Sequence, residues 1–334
     1  MKPLLPPLLK HGDTIGIFSP SVPATADYES ASVRAERFLC DLGYKVRRGI
    51  LWGKSSSYKS GTAAERAAEF NALLYDDEVE CIMAAMGGFV SNGMLPYIDY
   101  EYFSAHPKIV VGMSDVTSLL MGLYSKTGVT VYYGPNFVTG FARQRSYAEF
   151  SLKAFENAVN RRDRYYLSPP DHYSDELIDW NAISTEEKII PNELITLCGG
   201  KAKGRLIGGN MNTLTSVWGT PYMPEIKEGD ILFLENTEEW AGYVERYAAW
   251  LKMCGVFDKI SGLIIGKHRC FDSCGTGKRA YEILLETIGE PHFPVLAEFD
   301  CSHCAPMLTM PLGVTAELDA DRKNVTIVYG DHDG

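Results

Sequence analysis

Apolar residues along the chain come in short unbroken runs separated by stretches of helical period. The β-branched run Ile109-Val110-Val111 passes through Gly112, Met113 and Ser114 into the segment 116–124, whose apolar spacing predicts a helix. Ser114 therefore stands at a strand-to-helix joint. Upstream, 13–19 predicts a strand, 28–42 a helix closed by Gly43, and 44–49 a second strand. Thr62-Ala63-Ala64-Glu65 has the spacing of a capping box, so a helix opens there. The run 79–86 ends in Gly87-Gly88, and 129–134 predicts a further strand before a helix over 147–160. Strands that alternate with helices and lack period two predict a mostly parallel sheet covered on both faces. In such sheets ligands collect at the carboxyl ends of the strands. Gly87-Gly88 and Ser114 both fall there.

Between 163 and 192 the periodicity fails and Pro169-Pro170 and scattered acids appear, which reads as a linker or excursion. Periodic structure resumes with predicted strands at 203–210 and 230–235, a helix over 237–254, strands at 260–266 and 293–296, and an alternating hairpin over 314–329. The expected organisation is an α/β domain over 1–165, a linker over 166–190 and a β-rich domain over 191–334.

Composition narrows the class without changing this outline. At 334 residues, 46% hydrophobic and 22% charged, the chain is long enough for two domains with a large buried core. A formal net charge of -11 with no basic stripe excludes a nucleic-acid backbone as partner. The N-terminal apolar run 1–10 is short and broken by prolines, unlike a signal peptide, and no segment has the length of a membrane span. Eight scattered cysteines fit a reducing cytoplasm. The expected partner is a small molecule or a short peptide.

A serine at a strand-to-helix turn has two readings: a nucleophile lifted clear of its strand, or an ordinary helix cap made by Ser114-Asp115. Nucleophilic serine chemistry needs a base and a carboxylate to orient it. Of seven histidines, His303 lies in the non-periodic loop 299–307 directly after a predicted strand, and Glu235 closes the most apolar strand of the second half. Asn236 and Glu239 have the spacing of a helix cap, which leaves Glu235 for the strand-end surface. A structural zinc site on Cys270, Cys274, Cys301 and Cys304, with His268 and His303 as spares, is a competing use of the same region. Gly275-Thr276-Gly277-Lys278 lacks the first glycine and the terminal hydroxyl residue of a P-loop, and no Gly-x-Gly-x-x-Gly follows the first strand. No nucleotide cofactor is expected.

These pieces together resemble the LD-carboxypeptidase family of serine peptidases, and most closely its microcin C self-immunity branch. The resemblance rests on 12–21 (Gly-Asp-Thr-Ile-Gly-Ile-Phe-Ser-Pro-Ser), Gly87-Gly88, Leu95-Pro96-Tyr97-Ile98-Asp99 and Val111-Gly112-Met113-Ser114-Asp115. It continues through Gly208-Gly209-Asn210, Ile231-Leu232-Phe233-Leu234-Glu235 and His303 to Pro311-Leu312-Gly313, nearly the whole chain in order. It implies a Rossmann-like N-terminal domain, a smaller β-rich C-terminal domain, an active site between them and a homodimer. It further implies Ser114 as nucleophile, His303 as general base and acid, Glu235 as the orienting carboxylate, and the backbone N–H groups of Gly88 and Asp115 as an oxyanion hole, with no metal and no cofactor. Cell-wall members of the family show Arg-Gly-Gly-Tyr-Gly where this chain has Met86-Gly87-Gly88-Phe89-Val90-Ser91-Asn92. The Ser91-Asn92 pair points to the immunity branch, whose substrates join an aminoacyl group to a nucleotide. On that implication Gly87, Ser91, Asn92 and a base-stacking Trp180 contact substrate. The alternatives are a murein tetrapeptide LD-carboxypeptidase and, in a different class, a ligand-sequestering protein that retains the fold without catalysis.

Overall fold

The computed structural model describes residues 4–182 and 186–330, so the first three residues of the N-terminal apolar run lie outside it. In chain order the strands are β1 (Thr14–Phe18), β2 (Lys45–Arg48), β3 (Val79–Ala84), β4 (Ile109–Gly112), β5 (Tyr132–Tyr133), β6 (Arg164–Tyr166), β7 (His172–Tyr173) and β8 (Ile190–Pro191). They continue with β9 (Ile195–Cys198), β10 (Lys201–Asn210), β11 (Ile231–Glu235), β12 (Gly262–Gly266), β13 (Val295–Phe299), β14 (Met310–Pro311), β15 (Thr315–Asp319) and β16 (Asn324–Val328).

The first sheet has the order β14-β5-β4-β3-β1-β2 and is parallel except at β14. The strands β1, β3 and β4 are almost wholly buried, as their unbroken apolar runs require when helices cover both faces. The second sheet has the order β6-β16-β15-β10-β11-β12-β13-β9. Its centre, β10 to β13, is parallel, and antiparallel strands flank it. The α/β architecture with a separate sheet-rich second half is thus as expected. Each half also lends a strand to the other, since β6 pairs with β16 and β14 pairs with β5.

One apolar core fills the outer face of the first sheet beneath helices Glu29–Asp41 and Arg145–Asn160. The other core is continuous from the inner face of the first sheet into the second. That continuity fixes the carboxyl ends of β3, β4 and β11 against one another, because rearranging them would reopen densely packed apolar surface to water.

One local expectation is met and another changes. The helix opened by Thr62 carries the reciprocal capping box. The helix expected over 237–254 instead begins at Ala241, with Trp240 as its cap. Residues 237–240 form a strap in which Thr237 bridges Arg269 and Trp240 bridges Asp272, and Glu238 has φ 58. The Asn236–Glu239 contact is present, but as a side-chain hydrogen bond inside that strap.

Candidate active site

The turn after β4 is built around Ser114, which has φ 64, a conformation that a non-glycine residue adopts only when its surroundings enforce it. Met113 N–H donates to Asn136 Oδ1 at 3.0 Å, Ser114 N–H to Tyr133 Oη at 3.1 Å, and Thr117 Oγ1 to the Ser114 carbonyl at 2.6 Å. The following 3₁₀ turn, Ser114–Val116, is preceded by Met113 and has no side-chain cap, so the helix-cap reading of Ser114 is corrected. The Asp115 carboxylate accepts Ser91 N–H at 2.9 Å, and Ser114 lines the cavity.

The Gly87-Gly88 loop lies directly against that turn. A Cβ on Gly87 would sit 2.9 Å from Ser114 Cβ and 3.2 Å from both Ser114 Oγ and the Asp115 amide nitrogen, so only glycine admits this approach. Gly88 has φ 145, and a Cβ there would meet Ser21 Oγ at 2.3 Å. Ser21 Oγ accepts the N–H groups of Phe89 and Val90 at 2.9 and 3.1 Å, which orients the loop. Gly87 in this way lies against Ser114 and the Asp115 amide, and Gly88 lines the same cavity as Ser114.

The second half contributes the carboxylate and the imidazole. Glu235 ends β11 and is fully buried. Its Oε2 lies 2.7 Å from His303 Nδ1, while Oε1 accepts Tyr133 Oη–H at 2.5 Å and Asn210 Nδ2–H at 2.9 Å. The β10–β11 register places Asn210 opposite Glu235, which explains the second of these. Gly266 makes room for the pair, since a Cβ there would be 2.8 Å from Glu235 Cβ. Burial pushes the Glu235 carboxyl up, but the facing imidazole and the hydrogen bonds from His303, Tyr133 and Asn210 outweigh it and hold the acid below its usual range. Burial and the neighbouring carboxylate push the Tyr133 phenol far up, so it stays a donor. His268, nearby on the strand-end loop, is driven down to about 4 by burial and is neutral at physiological pH.

A carboxylate that accepts from Nδ1 leaves Nε2 as the basic nitrogen of His303. His303 and Ser114 line one cavity of about 590 Å³, together with Gly87, Gly88, Arg143, Trp180 and Arg269. Glu187 forms a buried ion pair with the cavity-lining Arg143 through Nη2 and accepts Arg143 Nε–H at 3.0 Å. Trp180 is half-buried against the first core, and its carbonyl accepts Arg34 Nη2–H at 3.2 Å.

Ser91 and Asn92 do not line this cavity. Ser91 is fully buried beneath it, where its Oγ donates to the Asp115 carbonyl and lies 2.7 Å from Ser118 Oγ. Its place is in the support of the Ser114 turn, a correction to the substrate-contact expectation. The zinc alternative also dissolves: Cys270 and Cys274 are exposed, Cys301 and Cys304 are buried, and among the described residues no three His, Cys, Asp or Glu side chains gather as a metal site. Sequence reasoning missed Tyr133, Asn136 and Asn210. Asn210 carried a signal, since it follows Gly208-Gly209 on a strand end. Tyr133 lay within an apolar run and carried none.

A serine on a strained strand-end turn, facing a buried carboxylate–imidazole pair across one cavity of an α/β fold, defines a serine hydrolase. Residues 15–134 match the LD-carboxypeptidase N-terminal domain and residues 203–318 the LD-carboxypeptidase C-terminal domain. The chain belongs to the LD-carboxypeptidase family. It is 44% identical over 329 residues, 97% of this chain and 96% of the other, to the microcin C7 self-immunity protein MccF of Escherichia coli. The structure of MccF in complex with glutamyl sulfamoyl guanosine superposes with a TM-score of 0.95, covering 98% of both chains, and MccF has also been solved with aspartyl sulfamoyl adenosine. An MccF-like protein from Bacillus anthracis, 29% identical, superposes with a TM-score of 0.87 over 97% of this chain and 99% of its own.

Proposed function

We propose that this protein is a serine amidase that cleaves the amide joining an aminoacyl group to the phosphoramidate or sulfamate of a nucleotide, and thereby inactivates microcin C-like compounds. Ser114 Oγ attacks the acyl carbon while His303 Nε2 takes its proton. Glu235 holds the imidazole in the required tautomer and stabilises the imidazolium. The oxyanion of the tetrahedral intermediate accepts from the N–H groups of Gly88 and Asp115, donors of the kind whose loss costs about 3 to 4 kcal/mol in the barrier. Collapse breaks the C–N bond, and His303 returns the proton to the departing nitrogen. Water then releases the aminoacyl group from Ser114 by the same sequence in reverse.

The observation that supports this reading most strongly is the Glu235–His303 pair at 2.7 Å on the cavity that also holds Ser114. The nucleotide-bearing complexes of MccF favour an aminoacyl-nucleotide over a cell-wall peptide as substrate. Trp180 lines the same cavity, and an indole is a group suited to stacking on a base. The reading places the nucleophile and oxyanion hole in residues 1–165 and the Glu–His pair in 191–334, joined by 166–190. It further takes the chain as a homodimer, and as cytoplasmic on the strength of eight unpaired cysteines. Among the described residues no helix is long and apolar enough to cross a membrane.

The test is a paired assay of aminoacyl sulfamoyl adenosine and murein tetrapeptide. Cleavage of the first with slow or no release of D-alanine from the second is expected. Cleavage of the tetrapeptide alone would assign the protein to cell-wall recycling, and binding of either without turnover would assign it to sequestration.

A further inference from the structure

We propose that the hydroxyl of Tyr133 is a positioning group that ties the backbone of the nucleophile to the carboxylate of the triad, and so registers the two halves of the active site. The inference rests on the assignment of Ser114, His303 and Glu235 above.

One hydroxyl serves two partners. It donates its hydrogen to Glu235 Oε1 at 2.5 Å and accepts the Ser114 N–H at 3.1 Å. The first partner ends a strand of the second sheet and the second partner follows a strand of the first, so a single oxygen bridges the two. The Ser114 amide belongs to a residue at φ 64, and an acceptor placed there holds the turn in that conformation. Tyr133 itself is fixed from several sides. It is fully buried, its ring centroid lies 5.4 Å from that of Phe233, two residues before Glu235, and its backbone pairs with Met310 of β14. Strand β14 closes the segment that begins with the His303 loop. Tyr133 thus touches Ser114 and Glu235 directly and the chain bearing His303 through Met310.

The ionisable groups around Glu235 are His303, Tyr133, His268, Cys301 and Glu239. Burial keeps the phenol protonated and His268 neutral, so neither changes charge near neutral pH. Removing the Tyr133 donor leaves the carboxylate less satisfied and therefore more attractive to a proton on the imidazole facing it.

The experiment compares Tyr133→Phe, which removes one oxygen and keeps the ring, with Tyr132→Phe, the neighbouring buried tyrosine whose ring belongs to the other core. For Tyr133→Phe the expected result is a fall in kcat of roughly 10- to 100-fold, the loss typical of a hydrogen bond to a charged group. KM should be little changed, and the acid limb of the kcat/KM profile should move to higher pH. Tyr132→Phe should leave both unaltered. A second readout is the rate of Ser114 phosphonylation by an organophosphonyl fluoride, in which the serine oxygen displaces fluoride. It needs an activated serine but no substrate subsite, so it tests Tyr133 even if no amide is cleaved. Slower phosphonylation in Tyr133→Phe supports the proposal. A wild-type pH profile with kcat within about twofold overturns it. So does an activity loss fully accounted for by a lower titre of reactive serine.

Discussion

His303 Nδ1 lies 2.7 Å from Glu235 Oε2, a pair formed between the end of β11 and the loop that follows β13 two strands away in the same sheet. Glu235 is fully buried, its Oε1 is satisfied by Tyr133 and Asn210, and among the described residues the imidazole compensates Oε2. Replacing Glu235 with Gln keeps the shape but favours the wrong tautomer. The expected loss in kcat is roughly 10³- to 10⁴-fold with substrate binding retained, read by steady-state kinetics beside a direct binding measurement.

Gly88→Ala tests the oxyanion hole. The added methyl group would lie 2.3 Å from Ser21 Oγ at a position with φ 145, so the loop must shift and its N–H must move away from Ser114. A drop in kcat of roughly 10²- to 10³-fold with a small change in KM is expected. A change confined to KM would place Gly88 in substrate binding instead.

Trp180→Ala separates substrate classes. If the indole stacks on a base, KM for an aminoacyl sulfamoyl adenosine should rise roughly 5- to 30-fold, following the energy of a base–aromatic stack. An amide without a nucleoside should be cleaved as by the wild type. Equal losses on both substrates would assign Trp180 to packing.

The elements that carry chemistry were legible in the sequence where local pattern and long-range need coincide. Ser114, Glu235 and His303 each end or follow a strand whose apolar run is unmistakable, and in a parallel sheet strand ends are where ligands gather. The resemblance of the Ser91-Asn92 pair to the immunity branch implies a substrate contact, whereas the hydrogen bonds of Ser91 run to Asp115 and Ser118, 24 and 27 positions away. No window of sequence contains that pairing. Tyr133 is the same case across 102 positions to Glu235. Residues 237–240 read as helix because their spacing allows a cap, but bridges from Thr237 to Arg269 and from Trp240 to Asp272 hold them out of the helix. Tertiary pairing outweighed local propensity there.

Stability should respond to pH through two opposed carboxyls. Glu69 is 1% exposed, accepts Ser19 and Leu51 N–H groups, and is pushed up to about 7 by burial. Its folded state binds the proton more tightly than the unfolded chain, so stability falls as pH rises from about 4.5 to about 7, by up to about 3 kcal/mol. Glu235 is shifted the other way, so its stabilisation is present above the unfolded carboxylate value and is lost as pH falls through its lowered folded value. Denaturant titrations at stepped pH should show the decline toward neutrality, and Glu69→Gln should flatten it. An unchanged slope in that variant would remove Glu69 from the account.

The central claim is that Ser114 forms an acyl-enzyme with an aminoacyl-nucleotide. Rapid mixing of the protein with an aminoacyl sulfamoyl adenosine, followed by acid quench and intact-mass measurement, tests it directly. The account predicts a transient mass increase equal to the aminoacyl group, located on the peptide containing Ser114, with matching release of sulfamoyl adenosine and neither event in Ser114→Ala. Release of sulfamoyl adenosine by Ser114→Ala at the wild-type rate, or no release by the wild type, would contradict it.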